Sequence, residues 1–222
     1  MLRISIQSSY YKSPFAVLLR DKSMHMEFKS SRIRVIVGVG NPGDEYDKTY
    51  HNVGIWFVRF LLESAQDTAP KEHEGSFSSM LTFSNGSSLV FSEVFMNRSG
   101  EAAREALAHL DAKPSELLLV HDDTDIPLGS YKFAFGRGSA GHNGVSSVSR
   151  ILQTNDFWRL RIGVRDTVPP QKKADLVSPK SANRRTKAED IVLQPVSKAN
   201  RGVIQDTFQT IFRSYDLTRF LS

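Results

Sequence analysis

The sequence predicts an α/β sandwich built on a largely parallel sheet. Three observations predict it. Short runs rich in β-branched and aliphatic residues recur at 34–39, 117–120 and 158–164 and read as buried strands. Segments with apolar residues at helical spacing lie between them. Polar turns bearing Gly, Asn and His follow the strand ends, where such sheets hold their ligands.

The elements follow in chain order. Arg34 to Val39 is the first strand, and Gly40-Asn41-Pro42-Gly43 must be a turn. Val53, Phe57, Phe60, Leu61 and Ser64 share one helical face, so 50–65 is an amphipathic helix. Phe77–Phe83 and Ser88–Phe91 read as strands joined by the hairpin signal Asn85-Gly86. Residues 97–110 read as a helix with Asn97 or Ser99 as its N-cap and Glu101 in its first turn. Leu117–Val120 is a buried strand ending in His121-Asp122-Asp123. Ser130–Phe135 is another strand, and the Gly-rich loop 136–144 leads into a helix near Val145–Leu152. Trp158–Val164 is a strand carrying alternating Arg159 and Arg161, and Ile204, Phe208, Ile211 and Phe212 mark a last helix.

Composition excludes several classes. Hydrophobic residues make up 40% and aromatics 10% of 222 residues, enough for a core. No apolar run approaches the ~20 residues of a membrane helix. There is no cysteine, so a disulfide scaffold, a thiolate metal site and a cysteine nucleophile are all excluded. The net charge is +5, unevenly spread. Residues 34–130 carry seven basic against fifteen acidic groups, whereas 131–165 carry six basic against one acid, Asp156. A basic region beside an acidic one suits a polyanion that also presents a non-phosphate group for chemistry.

The loops expected at the carboxyl ends of the strands are 40–51, 93–99, 121–129 and 136–144. They carry Asn41, His51, Asn97, Asp122 and Asn143. His51 begins a helix, and with Asp122 at a neighbouring strand end the pair makes a general base and its orienting carboxylate. Asn side chains at loop tips read amides and hydroxyls by hydrogen bonds, although each taken singly is more often a turn or cap residue. No Gly-x-Ser-x-Gly elbow is present, so base-activated water is simpler than a serine nucleophile. Gly38-x-Gly40-x-x-Gly43 matches the dinucleotide fingerprint literally, but Pro42 removes an N–H where the helix should begin donating to a phosphate. Asp122, Asp123 and Asp125 offer oxygen ligands to a hard cation such as Mg²⁺, without a lysine loop to cradle phosphates beside them.

Together these segments resemble the bacterial-type peptidyl-tRNA hydrolases. The resemblance rests on Val39-Gly-Asn-Pro-Gly-Asp-Glu-Tyr46, Thr49-Tyr-His-Asn-Val-Gly54, Phe95-Met-Asn-Arg-Ser-Gly100, His121-Asp-Asp-Thr-Asp-Ile-Pro-Leu-Gly129 and Gly141-His-Asn-Gly144. It implies a single-domain three-layer α/β/α sandwich. It also implies a metal-free, cofactor-free hydrolysis of the ester between a peptide and the 3′-terminal ribose of tRNA, recycling tRNA from aborted translation. By carry-over, His51 activates water and Asp122 holds its tautomer. Asn41 reads the blocked amino group, Asn97 and Asn143 hold the substrate's backbone and 3′ end, and Tyr46 and Phe95 pack along the terminal nucleotide and peptide. Arg161 matches one position of a tRNA phosphate clamp. Lys132 lies close to the other, whose own place is taken by Ala134. The family pattern also has Arg where this chain has Tyr50, and often two glycines where it has Ala140-Gly141.

Two segments lie outside that pattern. Residues 1–33 are Ser-rich and basic, with six Lys/Arg against two acids. They read as an N-terminal arm with a mitochondrial presequence's composition, a cytosolic protein with a disordered arm being the alternative. The folded domain is then 34–222. Residues 166–188 are a Pro-, Lys- and Ser-rich basic insertion within it. The expected partner is peptidyl-tRNA, met by a monomer and not at a membrane. The rivals to this reading are an RNA-binding accessory protein and a metal-dependent phosphate enzyme.

Overall fold

The computed structural model describes residues 27–28, 32–65, 69–166 and 191–221. Its strands are β1 (Val35–Gly38), β2 (Lys71–Glu74), β3 (Ser78–Thr82), β4 (Ser88–Ser92), β5 (Leu117–Pro127), β6 (Tyr131–Phe135) and β7 (Trp158–Arg165). The longer helices are α1 (Val53–Ser64), α2 (Ser99–His109), α3 (Asn143–Leu152) and α4 (Lys198–Tyr215). The strands form one sheet in the order β2-β3-β4-β1-β5-β7-β6. The central pairs β4–β1, β1–β5 and β5–β7 are parallel, and the flanking pairs are antiparallel.

Strand alternation decides the layers, because successive side chains leave a strand on opposite faces. Ile36, Leu89, Leu118, Leu160 and Ile162 join one core with Phe57 and Leu61 of α1 and Phe208 and Ile211 of α4. Val35, Val37, Val90, Leu117 and Leu119 join the other with α2 and α3. The fold is therefore the expected α/β/α sandwich with a mixed, largely parallel sheet. Close approach of the layers demands small residues. A Cβ on Gly54 would lie 2.3 Å from the Val120 carbonyl oxygen, and one on Gly100 would lie 2.3 Å from that of Ser147.

Four differences from the sequence-based expectation have physical causes. First, β5 does not end at Val120. Its pairing with β7 continues from His121 opposite Arg161 to Asp123 opposite Gly163, then shifts register before Pro127 meets Arg165. Residues 121–127 are thus strand: His121 and Asp122 stay buried, while Asp123 to Asp125 emerge from the core. Second, β6 runs antiparallel to β7, with Phe135 opposite Trp158 and Trp158 opposite Leu118. The loop 136–142 therefore leaves the sheet at its far end and climbs back to deliver Asn143 beside Asp122. Third, the all-polar β2, Lys-Glu-His-Glu, forms as an antiparallel edge strand with no hydrophobic alternation to announce it. Fourth, neither Asn97 nor Ser99 caps α2. A 3-10 turn at Met96–Arg98 precedes the helix, and Ser99 Oγ donates back to the Met96 carbonyl.

Phe28 lies within the segment read as an arm, yet it is only 5% exposed. It stacks on Phe133 at 4.0 Å and meets Trp158 and Tyr215 edge-on at 5.2 and 5.4 Å. The insertion expected at 166–188 falls almost wholly outside the described residues, as do residues 1–26. Replacing Phe28 with Ala should cost about 3–5 kcal/mol of folding stability, the range for emptying a buried aromatic site. Urea unfolding of the full chain measures this, and a loss below about 1 kcal/mol would show that Phe28 is not core.

Candidate active site

The site is built where the first parallel strands end. β1 runs into the turn at Asn41. The chain returns through a 3-10 turn, Tyr50–Asn52, whose three residues are all buried. Asn52 straps the two passes together: its Oδ1 accepts from the Asn41 N–H at 2.8 Å and its Nδ2 donates to the Asn41 carbonyl at 3.0 Å. This strap sets Asn41 and His51 relative to each other. Asn52 was not among the expected site residues, although it lies inside the Thr49–Gly54 motif.

His51 and Asp122 meet as the sequence suggested. His51 Nδ1 lies 2.8 Å from Asp122 Oδ1, with both residues buried. A second imidazole, unforeseen, shares that oxygen: His142 Nε2 lies 3.1 Å from it. His142 is also the N-cap of α3, and its Nδ1 accepts the N–H groups of Gly144 (3.1 Å) and Val145 (3.3 Å). A nitrogen that accepts carries no proton, so the His142 proton sits on Nε2 and is donated to Asp122. Burial opposes charge on Asp122, but the pull and hydrogen bonds of His142 and His51 outweigh it. The carboxyl is held far below the usual carboxylate range and is ionised. An ionised carboxylate only accepts, so His51 presents Nδ1–H to it, with Nε2 as the ring nitrogen not engaged by Asp122.

Among the described residues, His51, Asp122 and His142 are also the only grouping of three side chains able to ligate one metal ion. The proton logic counts against that use. With Nδ1 accepting two backbone N–H groups, His142 would have to become an imidazolate, or give up capping α3, to offer Nε2 to a cation. The carboxylates Asp122, Asp123 and Asp125 do not converge. Asp122 faces the two histidines, and Asp123 Oδ2 holds Arg161 through Nε at 2.7 Å and Nη2 at 2.6 Å.

The asparagines line the cavities on either side of His51. One cavity, of about 400 Å³, is bounded by Asp122, Asp123, the 139–143 loop and Val192. The other, of about 470 Å³, is bounded by Asn41, Phe95, Asn97, Asn143 and Leu193. His51, Asn143 and Val192 border both. Asn41 Oδ1 accepts from the Met96 N–H at 2.8 Å, so the amide orientation is settled and its NH₂ is the outward-facing end. Tyr46 and Phe95 approach edge-on at 6.1 Å, and Phe95 is 52% exposed, an aromatic wall open to a ligand. The Val192–Leu193 wall also escaped the sequence reading, because nothing local marks it. Bonds from Val196 N–H to the Lys48 carbonyl and a bridge from Thr49 to Pro195 hold that segment against the His51 turn.

Lys132 and Arg161 stand directly opposite each other on β6 and β7, so they share one face of the sheet. Lys132 is exposed, while Arg161 is turned toward Asp123. Arg159 stands opposite Ala134 but is 2% exposed, with burial and then the neighbouring Arg161 lowering its pKa to about 10. Tyr50 does not line the cavities that flank His51: it packs into the core, and its hydroxyl accepts from Asn200 Nδ2 at 2.7 Å. Its departure from the family pattern is thus absorbed by the contact with α4.

Comparison with known proteins bears on this geometry. The family model described as peptidyl-tRNA hydrolase matches residues 35–219. A peptidyl-tRNA hydrolase of Coxiella burnetii (strain RSA 331 / Henzerling II) is 37% identical over 193 residues, spanning 83% of this chain and 97% of that protein. The corresponding protein of strain CbuG_Q212 is 35% identical over 192 residues with the same coverage. Among solved structures, a peptidyl-tRNA hydrolase from Acinetobacter baumannii superposes with a TM-score of 0.68 at 24% identity, over 85% of this chain and 89% of that one. That last likeness speaks for the fold. With the family model spanning the whole sheet and both helical layers, this chain belongs to the peptidyl-tRNA hydrolase family.

Proposed function

We propose that His51 Nε2 takes a proton from water, which attacks the ester carbonyl joining a peptide to the tRNA 3′ ribose. The observation that carries this is the shared Asp122 oxygen. It accepts Nδ1–H from His51, orients the ring, and stabilises the imidazolium that forms when Nε2 is protonated. The imidazolium then returns its proton to the departing ribose oxygen. The products are a free peptide carboxyl and a free 3′-terminal ribose. An ester is already activated, so one positioned base and a few hydrogen-bond donors suffice without a metal.

Asn41 supplies the choice of substrate in this reading. Its outward NH₂ donates to the carbonyl of an N-blocked residue and meets a free ammonium, itself a donor, unfavourably. Asn97 and Asn143 hold the backbone and the 3′ end, with Tyr46 and Phe95 packed alongside. Strand order supports the direction of the substrate. Asn41, Phe95 and Asn97 sit over the β1–β4 side of His51, and the basic pair Lys132–Arg161 stands on the β7–β6 edge. The peptide would leave toward β4 and the tRNA body toward β6.

The chain acts as a monomer in this reading, since one copy carries base, amides and cations. Among the described residues no helix is long and apolar enough to cross a membrane. The composition of residues 1–33 favours a mitochondrial address over a cytosolic one, which imaging of a full-length fusion against one lacking that segment would decide.

Replacing His51 with Ala should cut release of N-acetyl-aminoacyl groups from tRNA by about 10²–10⁴-fold in the presence of EDTA. tRNA affinity should stay within about twofold, since binding does not use the base. An equal loss of both would remove His51 from the role of base, and binding without turnover by the wild type would favour the RNA-binding accessory. Asn41→Ala should narrow the rate ratio between N-blocked and free aminoacyl-tRNA, as paired assays would show. Lys132→Ala and Arg161→Ala should each flatten the salt dependence of tRNA binding by about one unit of slope. Titrations at several salt concentrations read this directly, and unchanged slopes would remove the clamp from these residues.

A further inference from the structure

His121 is a buried imidazole that the mechanism above leaves unused. It is 1% exposed and immediately precedes Asp122 on β5. Its Nδ1 lies 2.7 Å from the Asp122 carbonyl oxygen. A carbonyl only accepts, so the proton is on Nδ1. Its Nε2 is buried with no hydrogen-bond partner among the described residues. Its ring meets that of His142 edge-on at 4.5 Å, and His142 in turn lies 5.2 Å from His51.

An orphaned buried nitrogen is a standing cost to the fold, because its lost hydration is not replaced. The side chain leaves the sheet on the α2–α3 face, in the row of Leu117 and Leu119, where an aliphatic residue would pack with no polar atom to satisfy. Burial above all, opposed by the neighbouring Asp122, holds its pKa well below the ordinary value, so it remains neutral. What the imidazole supplies that an aliphatic chain cannot is the Nδ1–H donor, together with a flat ring against His142.

We infer that His121 is a positioning residue for ester hydrolysis. It pins the Asp122 peptide through Nδ1–H and backs the His142 ring, so that one carboxylate oxygen meets both His51 and His142. The inference rests on the reading of His51 as base and Asp122 as its orienter. Its consequence is a separation of activity from stability. Removing the imidazole removes the orphaned nitrogen as well, so the fold should not weaken while the catalytic geometry loosens.

The test compares wild type, His121→Leu and His121→Asn in the full chain, using N-acetyl-aminoacyl-tRNA. His121→Leu should lower kcat about tenfold with KM within about twofold, since misplacing a positioned group costs rate more than binding. Its thermal midpoint should hold or rise by a few degrees, roughly the gain from deleting a buried unsatisfied group. His121→Asn keeps an N–H donor near the Nδ1 position and should recover most of kcat. Wild-type kcat in His121→Leu would overturn the inference. So would a fall in kcat matched by a fall in thermal midpoint, or a fall that Asn does not rescue. A folded wild type with no turnover would instead overturn the hydrolase reading itself, and this inference with it.

Discussion

One oxygen atom, Asp122 Oδ1, holds the site together. A carboxylate this deeply buried costs several kcal/mol unless its lost hydration is replaced by donors. His51 and His142 replace it, at 2.8 and 3.1 Å. Each then has its proton placed by the contact it makes. His51 must present Nδ1–H, which leaves Nε2 as its other ring nitrogen. His142 must present Nε2–H, which leaves Nδ1 for the two N–H groups that begin α3. The carboxylate thereby orients His51 and, through His142, ties the start of a helix to the end of a strand. Without the ionised carboxylate the Nδ1–H of His51 would have no acceptor there, whereas His142 would still be held by the two N–H groups at its Nδ1.

The fold's contribution is to bring that oxygen, the asparagines and the cations to one edge. Parallel pairing of β1 with β5 places the turn after β1 beside the end of β5. The order β4-β1-β5-β7-β6 then spreads the chemistry along the carboxyl ends of the sheet. Amides and aromatics gather over β1 and β4, His51 and Asp122 over β1 and β5, and Lys132 and Arg161 on β6 and β7. Because Asp123 lies next to Asp122 on the strand and engages Arg161, the basic edge is tied to the strand that carries Asp122. Gly54 permits this compactness, since any side chain there would collide with the Val120 carbonyl just before His121 and Asp122.

Much of the fold was legible because hydrophobic periodicity reports burial. β1, β4, β7, α1 and α4 lie where alternating or helical apolar spacing put them. The exceptions are elements whose residues do not follow that rule. β2 is entirely polar because it is an edge strand. The second half of β5 is polar, with a buried Asp122 satisfied by side chains from elsewhere and Asp123 to Asp125 leaving the core, so the sequence read it as a loop. The direction of β6 was invisible, because a strand's local pattern is the same whichever way it runs. The N-cap of α3 is a histidine, a residue type that preference alone does not suggest for that position.

The sequence by itself determined the α/β class and the family, and it singled out His51 and Asp122 as a pair that the fold brings into contact. Those depend on short motifs whose residue types are dictated by local backbone and chemistry. Only the tertiary structure decided that His142 joins Asp122, that Asn52 straps Asn41, that Val192 and Leu193 wall the cavities, and that Phe28 belongs to the core. These contacts link residues on different elements or far apart in the chain, and no spacing rule encodes a distance that only folding creates. The proton positions are of the same kind. Which nitrogen of an imidazole carries its hydrogen depends on what its two neighbours in space can accept or donate, and those neighbours are chosen by the sheet.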